Sequence, residues 1–185
     1  MNIPPLFLET ERLLVRNYRI TDAADLFSLV NGNREELKEY FPNVVENLSS
    51  VMAARKYILL RNRERSAAIS IFSGVFLRKE EKLIGQIIVK DINQRVPKGE
   101  AGYFLAKEFY GNGFASEALK KVTDYFLGEQ KFAKLMCRIE NRNSASRKVA
   151  EKAGYTFSGT LRNDFRTLEG RLMDCEVWEK TSSPG

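Results

Sequence analysis

The chain has 185 residues, enough for one domain with a full core, and its 43% hydrophobic and 29% charged residues are an ordinary globular mixture. It contains no histidine, which excludes Ser-His and Cys-His nucleophilic sites and His-bearing zinc sites, and its two cysteines cannot complete a four-cysteine site, so no metal is expected. The formal charge of +6 favours anionic partners in general (a phosphate-bearing cofactor, nucleic acid or an acidic surface), unless it is simply a solvated basic surface.

Basic residues are interspersed with acids, and no RRM, KH or zinc-finger signature occurs, so direct nucleic-acid recognition is not expected. No apolar run approaches twenty residues, and Met1-Asn2-Ile3-Pro4-Pro5 does not read as a secretory signal. The expectation is a cytoplasmic protein without a membrane span. Cys137 and Cys175 read as buried thiols, with a disulfide between them as the alternative.

In chain order, Arg12 to Arg16 reads as a short strand. Thr21 to Asp25 starts a helix whose face continues through Leu26, Phe27, Leu29 and Val30. A second helix is predicted from Arg34 to Tyr40, closed by Pro42, and a third from about Ser49 to Asn62. Ala67 to Leu77 and Leu83 to Ile92 form a predicted antiparallel hairpin around the charged turn Lys79-Glu80-Glu81-Lys82. After the Pro97-Lys98-Gly99 turn, Glu100 to Ala106 is a strand. A glycine segment, an amphipathic helix and a strand from Lys134 to Glu140 follow. Ser144 to Ala153 is a helix ended by Gly154, and Tyr155 to Thr160 and Leu172 to Glu179 close the sequence as strands, with Trp178 in the core. Residues 181–185 are a polar tail. With no linker or repeat, the order implies one α/β domain, residues 1–185, with a mixed sheet.

Ala115, Ala118, Leu119, Val122 and Phe126 give the helix after Gly111-Asn112-Gly113 an apolar face. Glycine permits positive φ and close approach to the backbone. A helix start without a side-chain cap leaves amides free for an anion. The segment is therefore a candidate phosphate loop, with a plain tight turn as the bland alternative. The P-loop pattern is absent. A dinucleotide fingerprint would need Gly or Ala where Ser116 stands, although Glu140 could act as the ribose-binding acid.

A third loop type matches more of the chain. Tyr110-Gly111-Asn112-Gly113-Phe114-Ala115 resembles the acyl-coenzyme A loop [RQ]-x-x-G-x-[GA] of the GNAT N-acetyltransferases, with Tyr110 in place of Arg or Gln. An aromatic there is similar to the RimJ/RimL branch, which acetylates protein N-termini. Leu8 to Arg16 resembles that branch's opening strand, and Glu100 to Ala106 the strand ahead of the loop. Asn143-x-x-Ser146-x-x-Val149-x-Glu151-Lys152-x-Gly154-Tyr155 resembles the second cofactor motif. The resemblance is weakest over residues 40 to 80.

The resemblance implies a single GNAT domain. Its mixed sheet of about seven strands would have helices on both faces, and its central parallel strands would splay apart. It also implies acetyl transfer from acetyl-CoA to a primary amine by direct attack, most naturally a protein or peptide N-terminal α-amine. That amine ionises near 8 against 10.4 for lysine, and is neutral roughly a few hundred times more often at pH 7. The implied cofactor contacts are Tyr110, Gly111, Asn112, Gly113, Phe114, Ala115 and Ser116 at the pyrophosphate, Phe104 and Leu105 along the pantetheine arm, and Asn143 and Ser146 in the second motif. A bare amide near Leu105 would serve the oxyanion. Glu100 is the implied base, acting directly or through water, with Glu36 and Glu39 as weaker amine-binding candidates. Many relatives carry a tyrosine acid where Ala150 stands here, so Ser146 is the implied partner of the leaving thiolate and Tyr155 a weaker substitute.

Asn143 and Ser146 also fit simple helix capping. Tyr40-Phe41-Pro42 resembles an acceptor-site aromatic segment, with a core role as the alternative, and Asp164, Arg166, Arg171 and Asp174 flank the last turn, either contacting the acceptor or standing as solvated charges. Glu35, Glu36, Glu39 and Glu46 hint instead at a polyamine or aminoglycoside. A non-catalytic acyl-CoA-binding module and a nucleotide-dependent oxidoreductase are further alternatives, and a homodimer is one arrangement the resemblance allows.

Overall fold

A computed structural model describes residues 3–167 and 169–182; Met1 and Asn2 of the opening segment and residues 183–185 of the polar tail lie outside the described residues. The strands are β1 (Phe7–Glu9), β2 (Leu13–Asn17), β3 (Ile71–Leu77), β4 (Leu83–Asn93), β5 (Lys98–Leu105), β6 (Lys134–Glu140), β7 (Thr156–Arg166) and β8 (Leu172–Thr181). The helices are α1 (Ala23–Gly32), α2 (Arg34–Tyr40), α3 (Pro42–Asn47), α4 (Val51–Ser66), α5 (Phe114–Gly128) and α6 (Ser144–Lys152). One eight-stranded sheet runs β1-β2-β3-β4-β5-β6-β8-β7, mixed because β5 and β6 pair in parallel while the other neighbours are antiparallel.

Each face of the sheet carries its own apolar cluster. Alternation along β5 turns Ala101 and Leu105 into the cluster that holds Leu119, Val122 and Phe126 of α5 and Ala150 of α6. It turns Phe104 the other way, among Leu26, Val30, Leu37, Val45 and Ile58 of α1 to α4. Gly85 lets β4 and β5 approach: a Cβ there would stand 2.3 Å from the Phe104 carbonyl oxygen.

The central feature is how little of β5 and β6 is joined. Their parallel register covers Lys98–Lys134, Gly99–Leu135 and Glu100–Met136, and no pairing continues beyond Glu100. From Ala101 to Leu105 β5 stays bound to β4 alone. The strands diverge there, as the resemblance implied.

Short or irregular elements differ from the sequence reading. β1 is an eighth strand, an edge piece of 3 residues in which Leu8 alone is buried, too short to show an alternation. Pro42 closes α2 and also opens α3 as its first residue, where its missing amide costs nothing. β5 begins at Lys98, so Glu100 lies inside the parallel pairing and not at the strand's first position. β3 starts at Ile71, because α4 runs to Ser66 and Ala68 takes a positive φ of 50° in the turn. β7 continues past Thr160 to Arg166, through an irregular step between Leu161 and Phe165 in its register with β8, a second lying earlier between Phe157 and Gly159.

Candidate active site

α5 begins without a side-chain cap. Its N-cap is Gly113 in the left-handed conformation (φ 78°, ψ 1°), and Gly111 is left-handed too (φ 79°). A Cβ at Gly111 would meet nothing within 4 Å, and one at Gly113 only the Arg12 guanidinium at 3.6 Å. The glycines therefore serve the backbone conformation and leave open space above it. The first intrahelical bond runs from the Glu117 amide to the Gly113 carbonyl at 3.1 Å, and no acceptor within the described residues takes the amides of Asn112 to Ser116. The helix tolerates this: a glycine cap costs a few tenths of a kcal/mol relative to serine, whereas buried side chains such as Leu119 and Phe126 each contribute about 1.5–3 kcal/mol. Free amides at the positive end of the helix dipole are the arrangement that could hold an anion.

Arg12 braces the loop from β2's entrance. Its guanidinium donates to the Asn112 carbonyl (3.0 Å) and to Glu117 (2.8 Å from Nε), and lies 4.6 Å from the centre of the Phe114 ring. Thr10 donates to the other Glu117 oxygen. Burial pushes the Glu117 carboxyl up, but Thr10 and Arg12 outweigh it and hold the carboxyl below its usual range. The Asn112 side chain folds back onto the carbonyls of Phe109 and Tyr110. Tyr110 is exposed, and Ala115 and Ser116 are half-buried in the first turn.

A cavity of about 170 Å³ occupies the divergence of β5 and β6; its lining includes Glu100, Gly102, Tyr103, Cys137, Glu140 and Ser146, with Tyr40, Phe41, Asp164 and Phe165 also around it. The antiparallel ladder sets which β5 amides face it. The Ala106 amide donates to the Ile84 carbonyl at 2.8 Å, so Gln86–Phe104 and Ile88–Gly102 are also bonded pairs. The amides of Tyr103 and Leu105 consequently turn away from β4, toward the divergence. Phe104 spends its amide on β4, and its ring packs on Phe41 with centroids 5.2 Å apart.

Glu100 is nearly buried between two cations: Arg138 Nε donates to it at 2.6 Å and Lys90 Nζ at 3.0 Å. Arg138 also reaches Asp164 at 2.9 Å. Asn143 caps α6, its Oδ1 accepting the Ser146 amide at 2.9 Å, so the capping reading and a place beside the cavity hold together. Tyr155 does not line the cavity; its hydroxyl lies 2.7 Å from Thr123 Oγ1 in the core. Ala150 is fully buried one turn beyond Ser146. Cys137 and Cys175 are free and buried; burial raises both thiols, Cys175 to about 11.

The early glutamates do not converge on the cavity. Glu35 pairs with Lys38 (2.8 Å), Glu36 with Lys107 (2.9 Å) and Glu39 with Arg142 (3.8 Å). Arg166 donates to the Gly170 carbonyl, Arg171 pairs with Glu169 at 3.7 Å, and Asp174 accepts the Asn163 amide, all within the last hairpin. Tyr40 stacks on Phe165 with centroids 6.5 Å apart, bridging α2 and β7. Trp178 is in the core.

Several cavity residues escaped the sequence reading, Phe165 of β7 among them. Tyr103 was read only as strand, although its alternation with Glu100, Gly102 and Phe104 places it on the α6 side. Arg138 and Lys90 flank Glu100 from the two neighbouring strands, and no local pattern signals that pairing. Glu140 is buried and turned back on Arg142, accepting its amide at 3.0 Å and its Nε at 3.2 Å. That geometry does not suit a ribose-binding acid, and the largely antiparallel sheet does not suit a dinucleotide fold.

No helix among the described residues is long and apolar enough to cross a membrane, and they contain no cluster of three or more potential metal-binding side chains. Residues 12–156 match the acetyltransferase (GNAT) domain family. The probable N-acetyltransferase YjcK of Bacillus subtilis is 27% identical, over 92% of this chain and 94% of that one. The ribosomal protein uS5-alanine N-acetyltransferase of Escherichia coli is 24% identical, over 94% of this chain and 89% of that one. The fold is shared with RimL, ribosomal L7/L12 alpha-N-protein acetyltransferase, in complex with coenzyme A: the TM-score is 0.86 at 18% identity, covering 95% of this chain and 98% of that one. An uncapped glycine loop, a sheet open beyond Glu100 and a family match across most of the chain converge, and the protein belongs to the GNAT family of acetyl-CoA-dependent N-acetyltransferases.

Proposed function

We propose that the protein acetylates the α-amine of a protein or peptide N-terminus. The observation that carries this reading is charge balance in the cavity: Glu100 is held by Lys90 and Arg138, Asp164 by Arg138 and Glu140 by Arg142. A polyamine or aminoglycoside brings several ammonium groups and needs unpaired carboxylates to receive them; the paired acids of this cavity favour a single amine that reacts in its neutral form. An α-amine meets that condition with little help, because it ionises near 8. The Escherichia coli relative named as a ribosomal protein uS5-alanine N-acetyltransferase, with a protein acceptor, agrees with it.

Acetyl-CoA supplies an activated acetyl thioester. The chain's own groups divide the remaining work. The amides of Asn112 to Ser116 hold the pyrophosphate, and the open edge of β5 aligns the pantetheine arm. The Leu105 amide donates to the oxygen of the reacting carbonyl, a preorganised dipole of the kind that contributes about 2.7–4 kcal/mol. Glu100, with two cations on its oxygens, orients a water that takes the amine proton and does not itself touch the amine. Ser146 donates a hydrogen bond to the departing sulfur. Tyr40, Phe41 and Phe165 form the apolar wall against which the first residue of the acceptor rests.

The test is thiol release with acetyl-CoA across a panel of peptides with free N-termini, the same peptides with blocked N-termini, spermidine and an aminoglycoside. Release with the free peptides alone is expected. Faster release with spermidine or the aminoglycoside than with any peptide overturns the acceptor assignment.

A further inference from the structure

The Tyr103 hydroxyl lies 2.9 Å from Ser146 Oγ and 3.0 Å from the Ser146 carbonyl oxygen. The ring reaches α6 from β5, 43 residues away in sequence, and shares the cavity with Asn143 and Cys137. Ser146 alone is a poorly directed donor. Its hydroxyl rotates freely, and an unpartnered serine spends its hydrogen on any nearby acceptor. The backbone at Ser146 is pinned by the Asn143 cap, which leaves the side chain's own torsions and hydroxyl rotor to be directed by a partner.

We propose that Tyr103 is a positioning residue that donates to Ser146 Oγ and thereby directs the serine hydrogen at the leaving sulfur, making a two-hydroxyl donor chain. The inference rests on the acetyl-transfer reading above. The carbonyl of Ser146 competes for the same phenol hydrogen at 3.0 Å; when that hydrogen goes to Oγ at 2.9 Å, it occupies an acceptor site of the serine and leaves the serine hydrogen free to point into the cavity. Hydrogen bonds in series polarise one another, so the second donor strengthens the first. The missing phenol at Ala150 gives the pair its purpose: with no tyrosine on that turn of α6, β5 supplies one from the opposite wall.

The chemistry balances without ionising the phenol. As the carbon–sulfur bond breaks, its electron pair goes to sulfur, and the thiolate leaves held by the Ser146 O–H. The proton lost by the amine passes to water, and the thiolate recovers a proton from water on release. Burial, seconded by Cys137 and opposed by the Ser146 hydrogen bond, pushes the Tyr103 phenol well above its ordinary value. A buried phenolate is therefore disfavoured, and Tyr103 acts by donating a hydrogen bond, not by surrendering its proton.

The experiment measures the ionisation of bound coenzyme A through its ultraviolet thiolate absorbance, alongside steady-state turnover, in wild type, Tyr103→Phe, Ser146→Ala and the double variant. Phenylalanine keeps the ring and its packing. The chain predicts that bound thiol ionises at lower pH in wild type than free in solution. Tyr103→Phe should raise that value by about one unit and lower kcat roughly tenfold, with KM for acetyl-CoA within about twofold, the scale of one charge-directed hydrogen bond. The double variant should be no worse than Ser146→Ala. An unchanged thiol ionisation in Tyr103→Phe, or effects that add fully to those of Ser146→Ala, overturns the proposal. The thiol readout needs no acceptor: if wild type releases no thiol with any amine yet the ionisation depends on Tyr103, the acetyl-transfer reading fails and the donor chain stands.

Discussion

The two helices that follow β5 and β6 start in opposite ways. α6 opens on Asn143, whose side chain accepts the Ser146 amide and closes the first turn. α5 opens on a left-handed glycine and leaves its first-turn amides to whatever comes. A capped start spends its amide to fix a side chain, here Ser146, beside the cavity. An uncapped start keeps its amides as the functional groups and must be held by something else, here the Leu119, Val122 and Phe126 packing below and the Arg12–Glu117 brace beside it. The same physical deficit, unpaired donors at a helix end, is corrected beside the cavity at Ser146 and left open at α5, where the proposed function puts the pyrophosphate.

Giving α5 a cap is the strongest way to break the contrast. Asp and Asn both tolerate the left-handed conformation of Gly113, but only Asp brings a negative charge to the amides. Gly113→Asp should weaken coenzyme A binding on the order of a hundredfold by calorimetry, and Gly113→Asn by only a few-fold. Equal losses would mean that shape and not charge is what the loop offers.

Ser146→Ala tests the other start. Turnover should fall about a hundredfold, within the range for a positioned donor, while acetyl-CoA affinity measured at equilibrium stays within about twofold. A loss confined to affinity would move Ser146 from the reacting end to the binding surface. Removing the cap itself should do less. Asn143→Ala should cost about 1 kcal/mol of stability, a fall in Tm of roughly 2–4 °C for a chain of this size. Because Ser146 loses its anchor, kcat should fall more than KM rises.

The brace gives the smallest effect and a pH signature. Arg12 is about half exposed, so its pairing with Glu117 is worth within about 1 kcal/mol. Glu117 is held below its usual range in the folded protein, so its contribution is present above the unfolded value near 4.3 and fades as pH falls through the folded one. The stability gap between wild type and Arg12→Ala should therefore close as pH is lowered from about 5 toward 3. A gap that widens on acidification would reverse the assignment.

Much of this contrast was legible in the sequence. The pattern Gly111-Asn112-Gly113 ahead of an apolar helical face and the spacing Asn143-x-x-Ser146 are local, and each fixes a backbone feature that its own residues dictate. The splay was not readable from the residues of β5, because nothing in Ala101 to Leu105 says that β6 leaves them; it came from resemblance. Glu100 illustrates the limit best. That it lies in a strand can be read, but its two cations arrive from Lys90 and Arg138 on neighbouring strands, and they are what favours the water-mediated role proposed above over direct contact with the amine. Tyr103 is similar: its phenol matters because of a residue 43 positions away. β1 and α3 were missed because three and six residues carry too little periodicity to register.

The central claim is that the free amides opening α5 take the pyrophosphate, and amide-resolved NMR tests it most directly. On titration with coenzyme A, the backbone amides of Asn112 to Ser116 should move downfield and gain protection from hydrogen exchange, while the Ser146 amide, already bonded to Asn143, should change little in protection. Binding of coenzyme A with the Asn112 to Ser116 amides unshifted and still exchanging freely would contradict the account.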